Sequence, residues 1–224
     1  MKTIALAAAK GGVGKTTLTA ALATAAAILE PGTKVGLVDL DPQGSLTRWW
    51  NQRSQPEPHL LPVDPGAVAR LQRQLRGGSL DYLILDCPPG FSGILEGAIA
   101  VSDLVLIPTG PGELDLAAVA STAEMAAAAG GPFRQVLNRA PFHSRLTGRA
   151  VTALRDGGKL LCQLVHHRVA TAEAMADGHT ALETVPDRPA ARELMSVWLA
   201  VRAVPGFPPV RLSAAGSTGR RAGA

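Results

Sequence analysis

The 224-residue chain has only two cysteines, Cys87 and Cys162, which is too few for a disulfide framework or a cysteine-rich metal site. Aromatic residues are scarce at 4%, so the 46% hydrophobic fraction must build its core mainly from Ala, Leu and Val. No apolar run reaches the ~18–20 residues that span a bilayer. The alanine-rich stretch Leu18–Leu29 is short and broken by threonine. No leader pattern precedes the first strand-like run. A reducing cytoplasm is therefore the expected setting. Acidic residues thin out along the chain. Residues 1–133 carry 9 basic and 12 acidic residues, a balance of −3, whereas residues 134–224 carry 13 and 6, a balance of +7. Twelve of those 13 are arginine, whose planar fork suits phosphate. The basic half points to a polyanion such as nucleic acid.

The densest chemistry lies at residues 10–17, Lys-Gly-Gly-Val-Gly-Lys-Thr-Thr, directly after the apolar run Ile4–Ala9. Gly14-Lys15-Thr16 supplies the second half of the G-x-x-x-x-G-K-[ST] phosphate loop. The first glycine of that pattern would fall at position 9, which is alanine, so the chain fits the deviant form K-G-G-x-G-K-[ST]. Gly11, Gly12 and Gly14 permit backbone conformations that turn N–H groups, Val13's among them, inward as an anion nest. The following helix, opening at Thr16 and Thr17, adds the positive end of its dipole. Lys15 then places an ammonium on the β/γ-phosphates, and the Thr16 hydroxyl holds Mg²⁺. Lys10 is one lysine more than phosphate binding requires.

Two further segments supply carboxylates. Asp39 and Asp41 lie two apart at the end of a Val-rich run, so an extended chain points both the same way. One can serve the metal shell and the other orient the attacking water. Leu83-Ile84-Leu85-Asp86 is an apolar run ending in a carboxylate, the layout of a strand-end Mg²⁺ aspartate. Cys87 reads as a small buried hydrophobe. His166 and His167 lack partners at metal-ligand spacing.

Strand-like runs Thr3–Ala8, Val35–Leu40, Tyr82–Asp86, Leu104–Pro108, Gln135–Asn138 and Leu160–Val165 alternate with helical stretches. The helical stretches are Thr16–Leu29, Ser45–Gln52, Ala67–Arg76, Ser92–Val101, Glu113–Ala129, Val169–Ala176 and Ala190–Val201. Continuous Val/Ile/Leu strands between helices predict an α/β fold, a doubly wound, mostly parallel sheet flanked by helices. Residues 51–66, rich in proline, read as a surface excursion. Residues 1–204 are expected to form one P-loop domain, and the Pro/Gly/Ser/Arg-rich residues 205–224 a disordered tail.

The octapeptide, Asp39-Leu40-Asp41-Pro42-Gln43 and Asp86-Cys87-Pro88-Pro89 together resemble the ParA/MinD superfamily of deviant-Walker-A ATPases. Ser45-Leu46-Thr47-Arg48-Trp49, the run Val101–Pro108 and Glu113-Leu114-Asp115-Leu116 resemble its short ParA branch, with ParF-like plasmid-partition and McdA-like carboxysome-positioning proteins. The resemblance spans residues 2–203. It implies a Mg²⁺-dependent ATP hydrolase that forms an ATP-sandwich homodimer. Lys10 matches the signature lysine that reaches the partner's phosphates, and Asp41 the water-positioning residue. Asp39 and Asp86 match the outer Mg²⁺ carboxylates, and Asn138 an adenine contact. The resemblance also implies non-specific DNA binding, with Arg168, Arg192 and Arg202 as the expected contacts. Arg192 and Arg202 lie ten apart on one helix and can share a broad face. The implied setting is the nucleoid, with a cargo adaptor that stimulates slow hydrolysis. The alternative within the superfamily is a MinD-like membrane-associated regulator. The Gly-, Ser- and Pro-rich tail lacks the amphipathic pattern such anchoring needs.

Overall fold

A computed structural model describes residues 1–161 and 163–208. Cys162 and positions 209–224 of the expected tail lie outside the described residues. Six parallel strands run through the molecule: β1 (Lys2–Leu6), β2 (Val35–Asp39), β3 (His59–Leu60), β4 (Tyr82–Asp86), β5 (Leu104–Thr109) and β6 (Phe133–Leu137). Their order across the sheet is β3-β2-β4-β1-β5-β6. The helices are α1 (Lys15–Leu29), α2 (Ser45–Asn51), α3 (Val68–Leu75), α4 (Gly93–Ala100), α5 (Glu113–Ala128), α6 (Arg145–Asp156), α7 (Val169–Ala176), α8 (Ala181–Thr184) and α9 (Pro189–Arg202).

The predicted open α/β architecture is the one observed. Successive side chains of a strand point to opposite faces, and here both faces are covered. Ile4 and Leu6 pack with Leu18 and Leu22 of α1 and Trp198 of α9. Ala5 and Ala7 pack on the other face with Leu83, Leu85, Ile99 and Val119. This explains why the central strands read as unbroken apolar runs. The alanines of α1 let that helix sit close to the sheet, with ten of its residues buried. Register then sets the carboxylates side by side, because Asp39 pairs with Asp86 and Leu6 with Asp86 in adjacent ladders.

Two expectations are corrected and one helix is added. Residues 51–66 are more than an excursion, since His59 and Leu60 pair with Gly36 and Leu37 as edge strand β3. Gly36 makes this possible by leaving room for Leu61 and Leu80 where a Cβ would sit 2.9 Å from each. The predicted strand Leu160–Val165 forms no ladder among the described residues. It touches the sheet at two isolated bridges, Gln135 to Leu160 and Ala140 to His166. Its alternation serves packing instead, with Leu161 and Val165 in one core and Leu160 and Leu164 against the other. Helix α6 went unpredicted because Gly148 and its arginines dilute the apolar signal. A local cap marks its start, where Ser144 Oγ accepts from Leu146 N at 3.2 Å.

Candidate functional site

The site gathers at the carboxyl ends of β1, β2 and β4, where open parallel sheets bind ligands. Between β1 and α1 the chain turns through Gly12 (φ 75°) and Gly14 (φ 90°), left-handed conformations that favour glycine. Gly14 is the N-cap residue of α1 and no side chain caps this end. The first N–H groups of the helix are left for an anion. Lys15 is buried, and burial lowers its pKa against the opposing pull of Asp86 and Asp41. An ammonium kept from water in this way gains most when a phosphate arrives.

Thr16 Oγ1 donates to Asp86 Oδ2 at 2.7 Å. Asp86 is 1% exposed, and burial pushes its carboxyl up to about 7. The neighbouring Asp39 charge adds to that rise, while the Thr16 hydroxyl and Lys15 oppose it. Asp39 accepts from Thr47 N at 2.8 Å and Thr47 Oγ1 at 2.9 Å, so the start of α2 holds it still. Asp41 Oδ1 accepts from Gln43 N at 2.9 Å, and the residue faces a cleft of about 700 Å³ beside the loop. Two carboxylates crowded beside a hydroxyl are a poor arrangement without a cation and a suitable one for Mg²⁺. That hard ion takes oxygen from one or two carboxylates and completes its shell with water and substrate phosphate. Thr16, Asp39 and Asp86 therefore fit it. Cys87 is fully buried and its thiol is pushed far up by burial, as an inert core residue.

The predicted base contact also falls at the site. Asn138 is buried, and its Nδ2 donates to Val13 O at 2.8 Å. It lines a second cleft of about 320 Å³ with Gly14 and Thr17. Lys10 Nζ pairs with Asp115 Oδ1 in the first turn of α5. The partner, 105 residues away, went unassigned by sequence reasoning; an acidic residue at a helix start was its only signal.

The three arginines expected on DNA divide. Arg192 is exposed. Arg168 Nε and Nη2 donate to both oxygens of Glu193, at 3.2 and 2.6 Å, and its guanidinium lies 4.5 Å over the Phe142 ring. Phe142 in turn stacks on His166 at 4.0 Å. Burial works to raise the Glu193 pKa, yet hydrogen bonds from Arg168 and His166 outweigh it and leave the carboxyl below its ordinary range. Arg168 thus braces the wall of the second cleft.

Arg202 is a correction: its side chain is 2% exposed and out of reach of a DNA phosphate. Its Nε lies 2.8 Å from Glu30 Oε1, and its guanidinium packs beside the Tyr82 and Trp198 rings. The last turn of α9 faces α1, so the arginine turns inward to the acidic C-cap of that helix. Arg202→Ala is expected to destabilise the protein by about 3 kcal/mol, because it strands Glu30 as a buried charge. Urea unfolding measures this, and a loss under about 1 kcal/mol would show the pair to be dispensable.

A glycine-lined anion nest, a buried lysine and a hydroxyl–carboxylate pair at the strand ends define a P-loop nucleotide-binding protein of the deviant Walker A kind. The chain belongs to the CobQ/CobB/MinD/ParA nucleotide binding domain family, which matches residues 4–181. It is 32% identical to "Maintenance of carboxysome distribution protein A" of Halothiobacillus neapolitanus, across 79% of this chain and 84% of the relative. It is also 32% identical to "Chromosome-partitioning ATPase Soj" of Thermus thermophilus, across 85% of this chain and 91% of the relative. Among solved structures, the septum site-determining protein MinD of Pyrococcus horikoshii, complexed with Mg-ADP, shares the fold. Its TM-score is 0.78 at 20% identity, over 92% of this chain and 97% of that one.

Proposed function

We propose that the protein is a ParA-type ATPase that forms ATP-sandwich dimers, binds DNA without sequence preference and hydrolyses ATP slowly to segregate or position a cargo. Residues 1–204 act as one ATPase unit on the nucleoid in the cytoplasm, and an adaptor on the cargo stimulates turnover. The observation that carries this reading is Lys10, a cation at the loop's outer rim that the loop's own phosphate does not need. Two strongly exposed apolar side chains flank the same rim. Phe91 is 59% exposed, beyond a turn tied back by Gly90 N to Ala9 O at 2.8 Å, and Leu114 is 77% exposed beside Asp115. Such a face suits a second copy of the chain.

In each half-site the loop amides and Lys15 hold the β/γ-phosphates. Thr16, Asp39 and Asp86 hold Mg²⁺, which when bound neutralises phosphate charge. Asn138 orients the base. Asp41 uses its remaining carboxylate oxygen to align water for in-line attack. Lys10 leaves Asp115 and crosses to the partner's phosphates. Its charge then couples turnover to assembly as an arginine finger does.

ATP is expected to convert monomer to dimer in sedimentation runs, and Lys10→Ala to stay monomeric. A variant that dimerises like wild type would remove the role of Lys10 in trans. DNA binding draws support from Arg145, Arg149, Arg155, Arg188 and Arg192, all exposed in the basic half. If about four contact phosphate, affinity with ATP should fall about 100-fold between 50 and 200 mM salt. Binding insensitive to salt would sink the electrostatic account. No helix among the described residues is long and apolar enough to cross a membrane.

A further inference from the structure

We propose that Arg139 is a second phosphate-reading cation of the nucleotide site, lining the same cleft as Asp41. The inference rests on the nucleotide-binding reading above and adds a residue to it.

Arg139 follows Asn138 in a loop pinned on both sides. Asn138 N donates to Thr109 O at 2.8 Å, and Ala140 N donates to Val165 O at 3.0 Å. Between these anchors Arg139 takes φ 54°, the left-handed region that a side chain enters only under strain. Glycine or asparagine would sit there more easily. The strained turn delivers the guanidinium to the P-loop, where Nη1 donates to Gly12 O at 2.6 Å.

That contact has an electrostatic consequence. A carbonyl oxygen within an anion nest repels phosphate, and Arg139 covers the one on Gly12. Only one of the five guanidinium N–H groups is spent in this way, so the others remain for phosphate oxygens. The charge is also uncommitted. Lys10, Arg168 and Arg202 each face a carboxylate, whereas Arg139 makes no ion pair among the described residues. Arg48, which lines the same cleft, likewise makes no ion pair among the described residues. It spends its donors on Gln43 O and Ser45 Oγ of its own turn.

Position completes the case. Three cavities meet at the loop: the phosphate cleft, the base-side cleft and one of about 370 Å³ beside Lys10 and Asp115. Among the described residues, Arg139 is the one that lines all three. A flexible, exposed fork at that junction can follow a polyphosphate along its length and donate two hydrogen bonds to one group.

The test is calorimetric titration of wild type, Arg139→Ala, Arg139→Lys and Arg139→Gly with ATP, inorganic pyrophosphate and adenosine. Arg139→Ala should weaken ATP and pyrophosphate by about 10-fold or more and leave adenosine unchanged. Lysine should restore part of the loss. Glycine should raise the melting temperature by relieving the strained φ, yet still weaken pyrophosphate. Equal losses for adenosine and pyrophosphate would make Arg139 a structural brace and overturn the proposal. Unchanged pyrophosphate affinity in Arg139→Ala, with binding lost in Lys15→Ala, would overturn it and leave the nucleotide reading intact. Wild type that binds no ATP would remove both.

Discussion

Replacing Asp86 with Asn is expected to raise the melting temperature of the nucleotide-free protein at pH 8 while cutting turnover at least about 100-fold. The two effects share one cause. Asp86 is buried beside Asp39, and its carboxyl is pushed up to about 7, whereas in the unfolded chain it ionises near 3.8. Between those values the folded protein holds a proton that the unfolded chain has released. Stability from this group is therefore full below about pH 4 and is lost as pH rises through 7. At pH 8 wild type carries the whole deficit, on the order of 4 kcal/mol or about 8–16 °C. Asparagine has no charge to bury, and its oxygen still accepts from Thr16. Melting curves at pH 5 and pH 8 without Mg²⁺ should show wild type falling more steeply than the variant. A variant less stable at both would refute the burial account. Under the proposed role of Asp86 as an Mg²⁺ carboxylate, its removal costs turnover, because several kcal/mol of transition-state stabilisation would reside in that ion. Phosphate release in single-turnover assays measures it.

Asp41→Ala should lose hydrolysis by about 10²–10⁴-fold, the range for a positioned base or water-orienting group. ATP affinity should stay within a few-fold. Asp41 lies beyond the end of β2 and makes one side-chain bond, to Gln43 N at 2.9 Å, so little of the fold depends on it. The deletion should leave the loop, Lys15 and Thr16 in place. A dimer that forms with ATP and persists is the expected outcome by sedimentation. Normal turnover would remove the catalytic assignment and would pass the role to another group lining the cleft.

The site was legible to very different degrees at different residues. Lys15, Thr16 and Asp86 stood out because their chemistry follows from contiguous residues. A glycine loop between an apolar run and a helix has few other conformations, and a carboxylate closing an apolar strand of a parallel sheet emerges at the strand's carboxyl end, where ligands bind. Asp39 was read as pointing with Asp41. Thr47, eight residues on, holds it while Asp41 faces the cleft. Arg139 was passed over beside Asn138 because strand alternation gives no hint of a left-handed turn in a non-glycine residue. Arg202 was read as exposed because charge on a helix end is usually solvated, and the amphipathic pattern carries no sign that Glu30 waits opposite it.

From sequence alone came the phosphate loop, its deviation at Ala9, the strand-end carboxylates and the parallel sheet. Each rests on neighbours in the chain, where backbone preference and the two-residue strand period leave little freedom. The tertiary structure decided the charge pairings: Lys10 on Asp115, Arg168 on Glu193, Arg202 on Glu30 and Arg139 on the Gly12 carbonyl. These join residues 25 to 172 positions apart, so they depend on how helices settle over the sheet. Local composition says how many arginines there are; only packing says which of them remain free to meet a phosphate.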